Sequence, residues 1–159
     1  MLGRPRIDHA PGGGVRLRLL DGERDLLRQL PGQLRDLLDA APEDPSLRRL
    51  FPPAYEEERD AAEYDRLMRA ELHEGRRESL RVLAETADRE RLTGDEANAW
   101  LTALNDLRLV LGTRLDVSED TLLELGSSGS SAQELALYGY LSGLQEELVA
   151  ALAAGLEGS

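Results

Sequence analysis

The chain has no cysteine and no lysine, and only one phenylalanine and one tryptophan in 159 residues. Without cysteine there can be no structural disulfide, thiolate metal site, cysteine nucleophile or thiol redox switch, and such a composition suits a reducing cytosol, the expected location. All nineteen cations are arginine, a habit of GC-rich coding rather than a chemical signature. No apolar run approaches the roughly 18 residues that a membrane span needs, and no signal-peptide core precedes the first helix pattern, so no membrane partner is expected.

Catalytic patterns are absent as well. There is no Gly-x-Ser-x-Gly elbow, and the serines of Gly126 to Ser131 have no base beside them. Gly12-Gly13-Gly14 precedes a strand pattern instead of following one and lacks the Gly-Lys-Ser/Thr end of a phosphate loop. His73-Glu74 is followed by Arg77 where a zinc protease would place its second histidine, and Glu56, Glu57, Glu58, Asp60 and Glu63 cluster at a helix start, where carboxylates complement the helix dipole. A non-enzymatic protein with no cofactor and no metal is the reading these absences favour.

What is present is charge, unevenly spread. The net charge is -12. Residues 1–18 carry four arginines against one aspartate, whereas residues 116–159 carry eight acids and no arginine. Such a surface repels polyanions, so DNA binding would have to use the N-terminal arm or a local arginine face. Arg48-Arg49 and Arg76-Arg77-Arg81 have acids nearby and read as solvated ion-pair faces.

Periodicity divides the chain into a flexible tail (residues 1–14), one helical domain (15–156) and a flexible end (157–159). Val15, Leu17 and Leu19 alternate with arginines as in a strand, whose expected partner is residues 113–117 after a helix stop at Gly112 or, as the alternative, a second copy of the chain. Asp21 is the expected cap of a first helix that Pro31-Gly32 should kink or break. A helical turn at 46–50 leads to Phe51, expected to plug the core with Leu50 and Tyr55. Residues 56–91 form the longest helical region, where Gly75 marks either a close approach or a break. Gly126 to Ser131 reads as a flexible loop, and Gln133 to Leu156 as the last helix. The architecture expected is all-α, a compact bundle of about five helices with room for one short two-stranded β-ribbon.

The most informative stretch is Ala97 to Val117. Thr93 and Glu96 have capping-box spacing, and Ala97, Trp100, Leu101, Leu104, Leu107 and Leu111 line one helix face. Arg108 lies within that apolar stripe. A guanidinium there needs a partner, and a carboxylate from another helix is the expected one. Arg108, Asn105, Asp106 and Arg114 are the candidate partner-binding residues; Trp100, Leu104, Phe51, Leu141 and Leu148 are the candidate core, with Trp100 against the last helix. That helix is apolar beyond a narrow stripe, at Leu135, Ala136, Tyr140, Val149 and Ala151, which makes a second copy of the chain a candidate partner.

Leu104-Asn105-Asp106-Leu107-Arg108-Leu109-Val110-Leu111-Gly112-Thr113-Arg114-Leu115, together with Phe51-Pro52-Pro53-Ala54-Tyr55 and with Tyr138, Leu141, Leu144, Gln145, Glu146 and Leu148, resembles an actinobacterial family. Its members were long grouped as a domain of unknown function and are now labelled AosR-like oxidative-stress regulators. The resemblance runs from about Gly14 to Leu152 and implies a regulator acting through protein contacts, with the transcription apparatus as the kind of partner. The alternative is a direct DNA-binding regulator that uses the basic arm and an arginine face.

Overall fold

A computed structural model describes residues 5–41, 44–50, 59–125 and 129–157. Phe51 and Tyr55 lie outside them, as do Glu56, Glu57 and Glu58. Along the chain come β1 (Ile7–His9), β2 (Val15–Leu17), α1 (Asp21–Ala40), a 3-10 helix (Pro45–Leu50), α2 (Arg59–Thr86), β3 (Arg91–Leu92), α3 (Gly94–Leu125) and α4 (Gly129–Glu157). The architecture is predominantly α, as expected, with four α-helices among the described residues rather than five, and three strands instead of two.

The N-terminal segment is the largest departure. Residues 7–17 form an antiparallel hairpin, with Ile7 opposite Leu17 and His9 opposite Val15, where a loose tail was expected. Ile7, Val15 and Leu17 point into the core while Arg16 faces solvent, so β2 alternates with period two and β1 adds Ile7 to the same buried face. The glycine triplet makes the turn: Gly12, Gly13 and Gly14 all have positive φ, a region that side chains disfavour. A Cβ on Gly14 would lie 2.0 Å from the Leu92 carbonyl oxygen, so only glycine lets β2 lie beside β3. The partner of β2 on its other edge is therefore β3, and residues 113–117 continue a helix instead.

The helices run through their expected breaks because burial outweighs local propensity. In α1, Leu27, Pro31, Leu34 and Leu38 share one buried face, and the helix is continuous through Pro31. Its cap is not Asp21 but the preceding Leu20, and the Leu20 N–H donates to the Glu23 carboxylate at 2.7 Å. Helix α2 passes through Gly75, which is exposed with open space around it, so neither a break nor a close approach explains that residue. At Gly112, α3 continues: Val110, Leu111 and Thr113 are buried, and the Thr113 hydroxyl donates to the Leu109 carbonyl at 2.9 Å. Residues 129–131, assigned from sequence to a loop, belong to α4.

The core gathers Trp100, Leu104, Leu141 and Leu148, all buried as expected, with Leu47, Leu50, Leu80 and Leu83. Helix α3 is central, packing on α2, α4 and the 3-10 helix, while β1 rests on α4. The Trp100 indole N–H donates at 2.6 Å to the Thr86 hydroxyl, which donates in turn to the Val82 carbonyl. Its polar edge is thus satisfied by the end of α2. Arg24 of α1 closes that same end, donating to the carbonyls of Ala87 and Arg89 at 2.8 and 2.7 Å.

Candidate functional site

Helix α3 begins with the reciprocal bonds expected of a capping box. The Thr93 N–H donates to the Glu96 carboxylate at 2.9 Å, and the Glu96 N–H to the Thr93 hydroxyl at 3.1 Å. With its start fixed, the 100° step per residue distributes the four candidate residues around the helix. Asn105 and Arg114 are exposed, Asp106 is buried toward α2, and Arg108 is half-buried against α4. They form no single cluster.

Arg108 departs from its expectation. Its Nε donates to the Ser142 hydroxyl at 2.9 Å, one Nη donates to the Gln145 side-chain oxygen, and the guanidinium carbon lies 5.4 Å from the centre of the Tyr138 ring. All three partners are on α4 and none is a carboxylate. A half-exposed guanidinium retains enough hydration for neutral oxygens and an aromatic face to hold it, so a counter-charge is not required.

The buried ion pair lies one face away. Asp106, with only 2% of its side chain exposed, pairs with Arg76 of α2, which is 18% exposed. Arg76 also donates to the Leu50 carbonyl at the end of the 3-10 helix, so one side chain joins three elements. Burial pushes the Asp106 carboxyl above its ordinary range, against the opposing pull of Arg76. Arg76 therefore leaves the solvated face that its neighbours keep: Arg77 pairs with Asp39, and Arg81 with Glu78 and Glu85.

A second polar knot was not legible in the sequence. Arg6, one residue before β1, pairs with Glu23 of α1, and its backbone N–H and that of Ile7 donate to Glu147 of α4. Its guanidinium lies 5.7 Å from the centre of the Tyr140 ring. Burial, then Glu23, holds the Tyr140 phenol above its ordinary range. These partners are up to 141 positions apart, and no local spacing signals them.

Two clefts complete the surface. One of about 190 Å³ between α1, α3 and α4 is lined by leucines, with Gln33, Arg114 and Glu134 among them. Another, of about 470 Å³, lies between the glycine turn and the end of α4, beside His9. Among the described residues, no three His, Asp or Glu side chains are placed to share a metal ion, and no helix is long and apolar enough to cross a membrane.

Fold and side-chain placement define a predominantly α-helical protein with a small antiparallel sheet, whose buried polar groups tie its elements together. The chain belongs to the family described as a domain of unknown function, DUF2017, which it matches over residues 5–152. It is 34% identical to a Mycobacterium leprae (strain TN) protein provisionally named oxidative stress regulator AosR, across 94% of this chain and 87% of that relative. Proteins named oxidative stress regulator AosR in Mycobacterium bovis and Mycobacterium tuberculosis (strain ATCC 25618 / H37Rv) are each 28% identical, across 92% of this chain and 86% of theirs. No solved structure matches.

Proposed function

We propose that this chain is a non-enzymatic regulator of the oxidative-stress response that works through protein contacts, with the transcription apparatus as the class of partner. The observation that carries this reading is the similarity, over more than nine-tenths of the chain, to proteins named oxidative stress regulators. Contact with protein rather than DNA is favoured by where the arginines go. Arg6, Arg18, Arg28, Arg76, Arg77, Arg81 and Arg89 each pair with a carboxylate of the same chain. Two of these, Arg6 and Arg18, belong to the basic arm that DNA binding would have used, and paired cations neutralise few phosphates. With no cysteine in these 159 residues, any thiol-based sensing step lies outside them.

A strain lacking the gene tests the regulatory part: its transcript response to peroxide should change and return on complementation, and an unchanged response overturns the reading. A DNA mobility-shift series across salt tests the mechanism. No specific shift is expected from the protein alone, whereas binding that falls steeply with salt overturns protein contact in favour of DNA.

A further inference from the structure

Apolar side chains occur on every side of helix α4, a pattern of helices that have packing partners all round. One side meets that description, with Leu141, Leu144, Leu148 and Ala151 buried. The other leaves Leu135 and Val149 61% and 49% exposed, with Ala136, Gly139 and Ala150 exposed between and beside them. The only charge on the middle of this face is the exposed Glu146, and α4 carries no cation. Beside it lies Arg108 of α3, stretched over Tyr138 with neutral partners only. An acid and a guanidinium thus share one face without meeting each other.

From this arrangement we infer that the outer face of α4 is the interface of a homodimer, two α4 helices packing antiparallel about a twofold axis at Ser142. A twofold contact is self-complementary, so position 142 + n of one helix faces 142 − n of the other. With that centre, Leu135 meets Val149 of the partner subunit, seven residues to either side. Four residues to either side, Glu146 meets Tyr138 of the partner subunit, over whose ring Arg108 lies. Offsets of four and seven fall on one helix face, so one axis matches apolar to apolar and acid to cation together. Close approach is open at the centre, because a Cβ on Gly139 or Gly143 would meet nothing within 4 Å. Charge also selects the occupant. Two α4 helices alone would bring acids and no cation to the interface, and Arg108 supplies the cation that makes the face fit its own copy. This interface stands independently of the regulatory reading.

Sedimentation equilibrium of the full chain at micromolar concentration should give about twice the monomer mass of 17.5 kDa. Glu146→Arg, at an exposed position that leaves the fold intact, places like charges together and should weaken the dimer about tenfold or more. The absence of native cysteine makes register directly readable. Leu135→Cys with Val149→Cys in one chain should form intermolecular disulfides on mild oxidation. Either variant alone should not, because its own counterpart lies about 21 Å away along the antiparallel pair. A monomer in solution overturns the proposal. So does a dimer that is unaffected by Glu146→Arg and is not cross-linked by the double variant, which would place the interface elsewhere.

Discussion

Replacing Arg76 by methionine tests the buried pair at the junction of α2, α3 and the 3-10 helix. The substitution keeps an apolar stem of similar length and removes the charge, leaving Asp106 with only 2% of its side chain exposed and without its cation. Orphaning one member of a buried pair typically costs about 3–5 kcal/mol. For a chain of this size each kcal/mol moves the melting temperature by roughly 2–4 °C, so a fall of roughly 6–20 °C is expected near neutral pH. The pH dependence separates this cause from the loss of the bond to the Leu50 carbonyl. The Asp106 carboxyl already lies above its ordinary value in the folded protein, so the folded state holds that proton more tightly than the unfolded one. The stability linked to that proton is fully present below the unfolded value of about 3.9 and is lost as pH rises through the folded value. Without Arg76 the folded value rises further, and the penalty in Arg76→Met should shrink as the solution is acidified from neutrality toward pH 5. Adding Asp106→Leu should recover most of the loss, since an apolar pair of similar volume replaces a buried ion pair at little cost. Thermal melts of the wild type, the single variant and the double variant from pH 5 to 8 provide the comparison. A penalty below about 1 kcal/mol, or one independent of pH, would refute the reasoning, because Asp106 would then be solvated or held by something other than Arg76.

Gly14→Ala should destabilise by more than about 2 kcal/mol in a denaturant titration, because alanine meets both a positive φ and the Leu92 carbonyl. The indole of Trp100 should emit as a buried fluorophore, and Thr86→Val should cost about 1–3 kcal/mol by leaving the indole N–H without an acceptor, read from chemical unfolding followed by that emission. Arg108→Ala should cost about 1–2 kcal/mol in the monomer, less than a buried ion pair, since its partners are neutral and the site is half-exposed; a loss above about 3 kcal/mol would mean that a carboxylate holds it.

Much of the helical framework was legible from local rules. The Thr93–Glu96 capping box and the stripe of Trp100 and Leu104 are set by neighbours three or four positions apart, and the structure places them as that spacing requires. Gly112 does not stop its helix, and of the kink or break expected at Pro31 the break does not occur, because an intrinsic cost of a few kcal/mol at most is outweighed when the flanking Val110, Leu111 and Thr113, or Leu27 and Leu34, must be buried. The hairpin was half visible: Val15 to Leu19 carried a strand period, but three residues at Ile7–His9 are too few to show one beside a glycine-rich turn.

By itself, then, the sequence determined the helical class, the absence of thiol chemistry and the buried stripes of α3 and α4, since composition and periodicity act within one or two turns. Only the tertiary structure decided the partners of the charged groups. Asp106 sits two positions from Arg108 in the chain, yet the helical step sends one to Arg76 across the core and the other to Ser142 and Gln145 on α4. The partners of Arg6 are 17 and 141 positions away, brought within bonding distance by the packing of α1, β1 and α4. Local sequence carries the period of each helix but not the rotation at which its neighbours dock, and that rotation sets which charge meets which.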